Sequence, residues 1–90
     1  MNRVYCLSYD LRAPGKHYAG LIEELKKSPN WWHYLESTWL VYTSESAQQL
    51  FNRISGHLDA DDRMLIIKVS PDYSGWLTEE AWQWINQYLG

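Results

Sequence analysis

A single cysteine, Cys6, stands in the chain. It excludes an internal disulfide framework and fits a reducing compartment, the cytoplasm. No apolar run approaches the ~20 residues of a membrane span, so no membrane partner is expected. The opening MNRVYCLSYD also lacks the long apolar run of a signal peptide. Basic residues are scarce: Lys+Arg 8 against Asp+Glu 11 leaves a net charge of −3. A general nucleic-acid binder needs a basic surface to neutralise phosphates, so only a local basic stripe stays open to this chain. There is no CxxC to accompany Cys6, no GxxxxGK[ST], no GxGxxG and no RNA-recognition-motif run. Linkers, low-complexity segments and internal repeats are missing too. The 90 residues therefore suit one domain, 1–90, since two would be too small to hold separate cores.

Large amphipathic rings are what the chain has in excess. Aromatics make up 16%, with Trp 6 and Tyr 7 but Phe 1. So many in a small chain cannot all sit in one core, and some are expected to cover an interface.

Residues 3–10, RVYCLSYD, alternate as a strand, with Tyr5, Leu7 and Tyr9 on one side and Val4, Cys6, Ser8 and Asp10 on the other. Pro14 can open a helix at its first position. Tyr18, Leu21, Ile22 and Leu25 then fall at i, i+3, i+4, i+7, predicting a helix within 15–28 that Pro29 ends. Gly20 lies off this stripe, where it costs up to ~1 kcal/mol relative to Ala. WWHYLESTWLVYT reads as two short strands, 31–35 and 38–43, joined tightly. Ser46 starts a second helix with capping-box spacing to Gln49, and Ala47, Leu50, Phe51, Ile54 and Leu58 form its stripe. RMLIIKVS (63–70) reads as a buried strand. Thr78 is the N-cap of a third helix, with Leu77 stapled to Trp82 and a face of Ala81, Trp82, Ile85 and Leu89.

The order β-α-β-β-α-β-α predicts an α+β fold: a ferredoxin-like βαββαβ antiparallel sheet with two helices on one face and an additional C-terminal helix. Tyr5, Leu7, Tyr9, Leu65, Ile67 and Val69 are expected against the helices. Val4, Cys6, Ser8, Asp10, Met64, Ile66 and Lys68 are expected on the open face. That face must meet water, the third helix or a second subunit. Its mixed character predicts a homodimer. The alternative is a monomer whose third helix folds back over it.

Several segments carry a resemblance: SYDLRAPG (8–15), WWHYLESTWLV (31–41), HLDADDR (57–63) and GWLTEEAWQW (75–84). Together they span most of the chain. They resemble the CRISPR-associated protein two (Cas-two) and VapD superfamily, in its SinR-like branch. The resemblance implies homodimers joined across open sheet faces, with Asp10 facing its symmetry mate. In some members that aspartate pair serves a divalent metal, here Mg²⁺, in an endoribonuclease. In others the dimer is a DNA-bound scaffold for a partner integrase. The basic residues that usually follow the family's aspartate reduce here to Arg12 and Lys16.

Asp10 is thus the candidate catalytic and metal-binding residue, since Mg²⁺ takes few carboxylates and keeps several waters. Otherwise it ends the strand and caps the loop. Ser8 should lie beside it and could hydrogen-bond a metal-bound water or a phosphate. No base to make it a nucleophile is evident. Arg12, Lys16 and Lys68, with Arg3, are the basic residues nearest the expected cleft for RNA or DNA. His33 could approach Asp10 if it shared the open face, or else is packed against backbone; His17 is expected exposed. His57-Asp59-Asp61-Asp62 looks like a metal cluster but fails as an EF-hand, whose Gly and Glu positions fall on Met64 and Ser70. A solvated turn is the plainer reading. Trp31, Trp32, Trp39, Tyr34 and Tyr42 could stack bases or simply pack, and Trp76, Trp82 and Trp84 are expected to dock the third helix or the tail on the body. The rival to an enzyme is a non-enzymatic dimeric adaptor or regulator that binds protein, nucleotide or nucleic acid.

Overall fold

The alternating segment Arg3–Asp10 forms β1 in the computed structural model, which describes residues 1–12 and 18–89. It is followed by α1 (Ala19–Lys26), β2 (Asn30–Leu35), β3 (Thr38–Thr43), α2 (Ala47–Ile54), a 3₁₀ turn at Ser55–His57, β4 (Arg63–Lys68) and α3 (Glu79–Leu89). The fold is α+β: the described residues form one four-stranded antiparallel sheet in the order β2-β3-β1-β4, with three α-helices. β1 pairs antiparallel with both β3 and β4, and β3 with β2. Hence β1 and β2 run the same way with β3 between them, and β3 and β4 run the same way with β1 between them. Each of these same-sense pairs is joined through a helix.

Residues directly opposed in an antiparallel sheet share a face. Tyr5, Leu7, Trp39 and Val41 bury one face against Leu21 and Leu25 of α1 and Leu50 and Ile54 of α2. Helix α2 begins as its sequence predicts. The Ser46 hydroxyl accepts from Gln49 N at 3.1 Å, and the Gln49 side chain accepts from Ser46 N at 2.8 Å. Arg53 ties the two helices together: it donates to Glu24 O at 2.6 Å, to Ser28 Oγ at 2.8 Å and to the Glu45 carboxylate at 3.0 Å. The off-stripe Gly20 has a packing reason. A Cβ there would meet His57 Nδ1 at 2.7 Å, so a larger residue would have to push the His57 ring aside.

The face of β4 is the reverse of the sequence expectation. Leu7 opposes Ile66 and Tyr9 opposes Met64, so Met64 and Ile66 pack on the core. Leu65 and Ile67 oppose Ser8 and Cys6 on the other face, where they are 57% and 54% exposed. Four consecutive apolar residues leave period 2 without a phase; the register with β1 sets it. The strand also stops at Lys68, although Val69 N still donates to Val4 O at 2.8 Å. The expected helix start near Pro14 lies outside the described residues.

Helix α3 folds back over part of the second sheet face. The Thr78 hydroxyl accepts from Ala81 N at 3.3 Å, capping it as expected. Asn30 anchors its far end: its amide donates to Tyr88 OH at 2.5 Å, and its carbonyl oxygen accepts from Trp84 Nε1 at 2.8 Å. The Tyr88 ring also packs on Tyr42 at 4.6 Å. Between α3 and the sheet, Cys6, Leu40, Val69, Leu77, Trp82 and Ile85 help line an apolar cavity of about 260 Å³. Trp32 is buried on this face, and its Nε1 has no hydrogen-bond partner among the described residues. Trp76 does not join Trp82 and Trp84 in docking α3, for it is 99% exposed.

Candidate functional site

The cover supplied by α3 is partial. It takes the rows Asn30–Tyr42–Val4 and Trp32–Leu40–Cys6, and leaves the rows Thr38–Ser8–Leu65 and Asp10–Arg63 bare. Asp10 ends β1 in this bare corner because alternation puts it on the face of Ser8, two residues earlier and about 7 Å away along the strand. Its Oδ2 accepts from Arg12 Nε at 2.8 Å, with side-chain exposures of 58% for Asp10 and 63% for Arg12. An ion pair this exposed contributes only about 0–1 kcal/mol, so either group can exchange its partner cheaply.

Arg63 was not among the basic residues singled out from the sequence. It stands directly opposite Asp10 in the sheet. Its Nη1 donates to Ala60 O at 3.3 Å and Asp62 O at 3.0 Å, which fixes the guanidinium at the mouth of a shallow depression. That depression, about 330 Å³, is lined by Ser8, Tyr9, Asp10, Arg63, Met64 and Leu65. The signal for Arg63 was available in principle: antiparallel pairing sets the first residue of β4 against the last of β1.

Asp62 serves as a bracket. One carboxylate oxygen accepts from Arg12 N and from Tyr18 OH, both at 2.7 Å, and the other accepts from Asp59 N at 2.7 Å. It thereby holds both flanks of residues 13–17 to the start of β4. Among the described residues no three His, Cys, Asp or Glu side chains converge as a metal-ligating group.

The remaining candidates separate. Lys68 opposes Tyr5, five residues or about 17 Å from Arg63 along β4, and in the phase of the helix face. It does not converge with Asp10. Lys16 and His17 lie outside the described residues. Arg3 donates to Ser44 O and Glu45 O, both at 3.3 Å. His33 faces away from Asp10: its ring stacks on Trp39 at 4.1 Å, and its Nε2 lies 3.1 Å from Glu36 O. It is the packed histidine of the two readings. Trp31 and Trp39 likewise pack, with centroids 5.3 Å apart, while Tyr34 remains exposed. Cys6 sits half-buried under α3, and burial pushes its thiol pKa up.

Asp10 is a carboxylate of the kind Mg²⁺ uses. Mg²⁺ binds through one or two carboxylates and keeps several waters. Among the described residues, Asp10 is the carboxylate that lines this depression, and it is engaged by Arg12. No helix is long and apolar enough to cross a membrane among the described residues. No protein-family model, curated protein or solved structure matches the chain.

Proposed function

We propose that the chain is a ferredoxin-like homodimer of the Cas-two/VapD kind that binds RNA at Asp10 and cleaves its phosphodiester bonds with Mg²⁺. One observation carries the reading. Helix α3 covers the open sheet face only in part, and what it leaves bare holds Asp10 and Ser8 beside exposed Leu65 and Ile67. The strand order β2-β3-β1-β4, with both same-sense strand pairs split by a third strand, supports the ferredoxin-like assignment.

Two copies meeting through Leu65 and Ile67 would bury apolar surface; in an isologous contact only residues beside the two-fold axis lie near their own mates, and this reading sets that axis beside Asp10. Asp10 of each chain would then meet in the seam. Arg12 and Arg63 bind and orient the phosphate; Arg12 exchanges its exposed ion pair with Asp10 for the incoming anion. Ser8 fixes one phosphate oxygen by a hydrogen bond. Mg²⁺, when bound, would supply a water of lowered pKa and stabilise the negative charge on the phosphate oxygens.

Light scattering and single-stranded RNA cleavage with Mg²⁺ test this together. The expected result is a dimer that cuts, an Asp10→Asn dimer that binds but does not cut, and a monomeric Leu65→Lys/Ile67→Lys variant that loses cleavage. A cutting Asp10→Asn variant overturns the site. A second reading, a regulator that binds RNA without cutting, is favoured by the ion pair that occupies Asp10. Salt-sensitive binding with no cleavage by the native dimer would select it.

A further inference from the structure

We propose that the cleft between Trp76 and Tyr34 is a base-stacking site for single-stranded RNA, from which the strand runs across the bare end of the sheet to Asp10. The destination of the strand rests on the function proposed above; the stacking site does not.

Trp76 is 99% exposed in a chain that buries Trp32 and Trp39 almost completely. An indole held out in water gains nothing for the fold. It faces a cleft of about 330 Å³ that it lines with Tyr34, Leu35, Leu77 and Thr78. Tyr34 and the residues that follow Trp76 are held in place. The Tyr34 hydroxyl donates to Glu80 Oε2 at 3.2 Å, and its ring meets Trp32 edge-on at 5.3 Å. On the other wall, Leu77 is anchored in the apolar cavity under α3, and Thr78 caps that helix. Two aromatic walls with aliphatic neighbours suit a flat ring with an apolar face, which every nucleobase has.

The position of the cleft names the occupant. Leu35 opposes Thr38, Thr38 opposes Ser8, and Ser8 opposes Leu65. The cleft at the end of β2 therefore opens onto the row that leads to Ser8, with Asp10 and Arg63 beyond it. From β2 to β1 is two strand spacings, about 9.5 Å. Aromatic rings stand at one end of this row and two guanidiniums, Arg12 and Arg63, at the other. That division matches the bases and the phosphates of one strand. Glu80 beside Tyr34 excludes phosphate from the aromatic end, which leaves stacking as the contact there. It also explains how a chain of net charge −3 can take RNA: the basic surface needed is one corner.

The test is fluorescence anisotropy with end-labelled short oligoadenylate and oligouridylate, without divalent metal, in the Asp10→Asn background. Trp76→Ala is expected to weaken binding about 5- to 150-fold, the range for losing one stacked base. Trp76→Phe should keep most of the affinity, and oligoadenylate should bind tighter than oligouridylate. Folding is not at stake for a side chain so exposed, and circular dichroism will show the fold intact. Equal affinity of Trp76→Ala and its parent overturns the proposal. So does a Trp76→Ala variant whose only change is in molecular mass, which would make the cleft a protein contact. Loss of RNA cleavage by Asp10→Asn bears only on the catalytic reading, because binding is read without metal.

Discussion

The anchoring of α3 can be broken at one residue. Asn30 gives α3 two side-chain hydrogen bonds, to Tyr88 OH and from Trp84 Nε1. Asn30→Ala removes both and leaves a part-buried indole N–H and hydroxyl without partners. At about 0.5–1.5 kcal/mol each, the loss is about 1–3 kcal/mol. A domain of this size shifts by roughly 4–8 °C per kcal/mol, so the midpoint should fall by roughly 8–16 °C for a mid-range loss of about 2 kcal/mol. Asn30→Asp is the control. Its carboxylate still accepts from Trp84, and the Tyr88 hydroxyl can turn to donate, so most of the stability should return. Guanidinium unfolding measures the total, and amide hydrogen exchange locates it: α3 should exchange faster while β1 and β3 keep their protection relative to global unfolding. Unchanged α3 exchange in Asn30→Ala, with an unchanged midpoint, would refute the idea that these bonds hold the helix on the sheet.

Two further outcomes follow from the helix junctions. Burial raises the Glu45 pKa, but the hydrogen bonds from Arg53 and Thr43 outweigh it and hold the carboxyl below its ordinary value. The stabilisation is thus fully present above the unfolded carboxylate pKa, about 4.3, and is lost as pH falls through the lower folded value. Glu45→Gln should cost on the order of 1–2 kcal/mol at neutral pH and flatten the acid limb of a stability–pH curve measured by denaturant unfolding. Ser46→Ala removes the capping hydroxyl of α2 and should cost about 1 kcal/mol in the same measurement, while Ser46→Asp should retain it.

Much of this was legible in the residues. The alternation of Tyr5, Leu7 and Tyr9 gave β1 its limits and its buried face, and Ser46 with Gln49 marked the start of α2, because both signals are local. The face of β4 was not legible: Met64, Leu65, Ile66 and Ile67 are apolar on both sides, and only pairing with β1 decides which side is buried. At the site, Asp10 and Ser8 could be placed together from strand period alone. The approach of Arg63 and the bracket made by Asp62 depend on contacts 50 residues or more apart, between Asp62 and Arg12 and across the β1–β4 pairing, which no window along the chain contains. Trp76 misled for a related reason: its ring types match those of Trp82 and Trp84, but it precedes the cap of α3 and shares none of the helix's periodicity.

The contrast between the tryptophans makes the protein its own optical reporter. Trp32, sealed away from solvent, sits in surroundings that cannot relax around an excited indole, whereas Trp76 is bathed in mobile water. Their emission should fall at opposite ends of the indole range. Iodide in the buffer will extinguish the red component long before the blue one. Lifting of the C-terminal helix and occupation of the outer cleft can therefore be followed at separate wavelengths in the unlabelled chain.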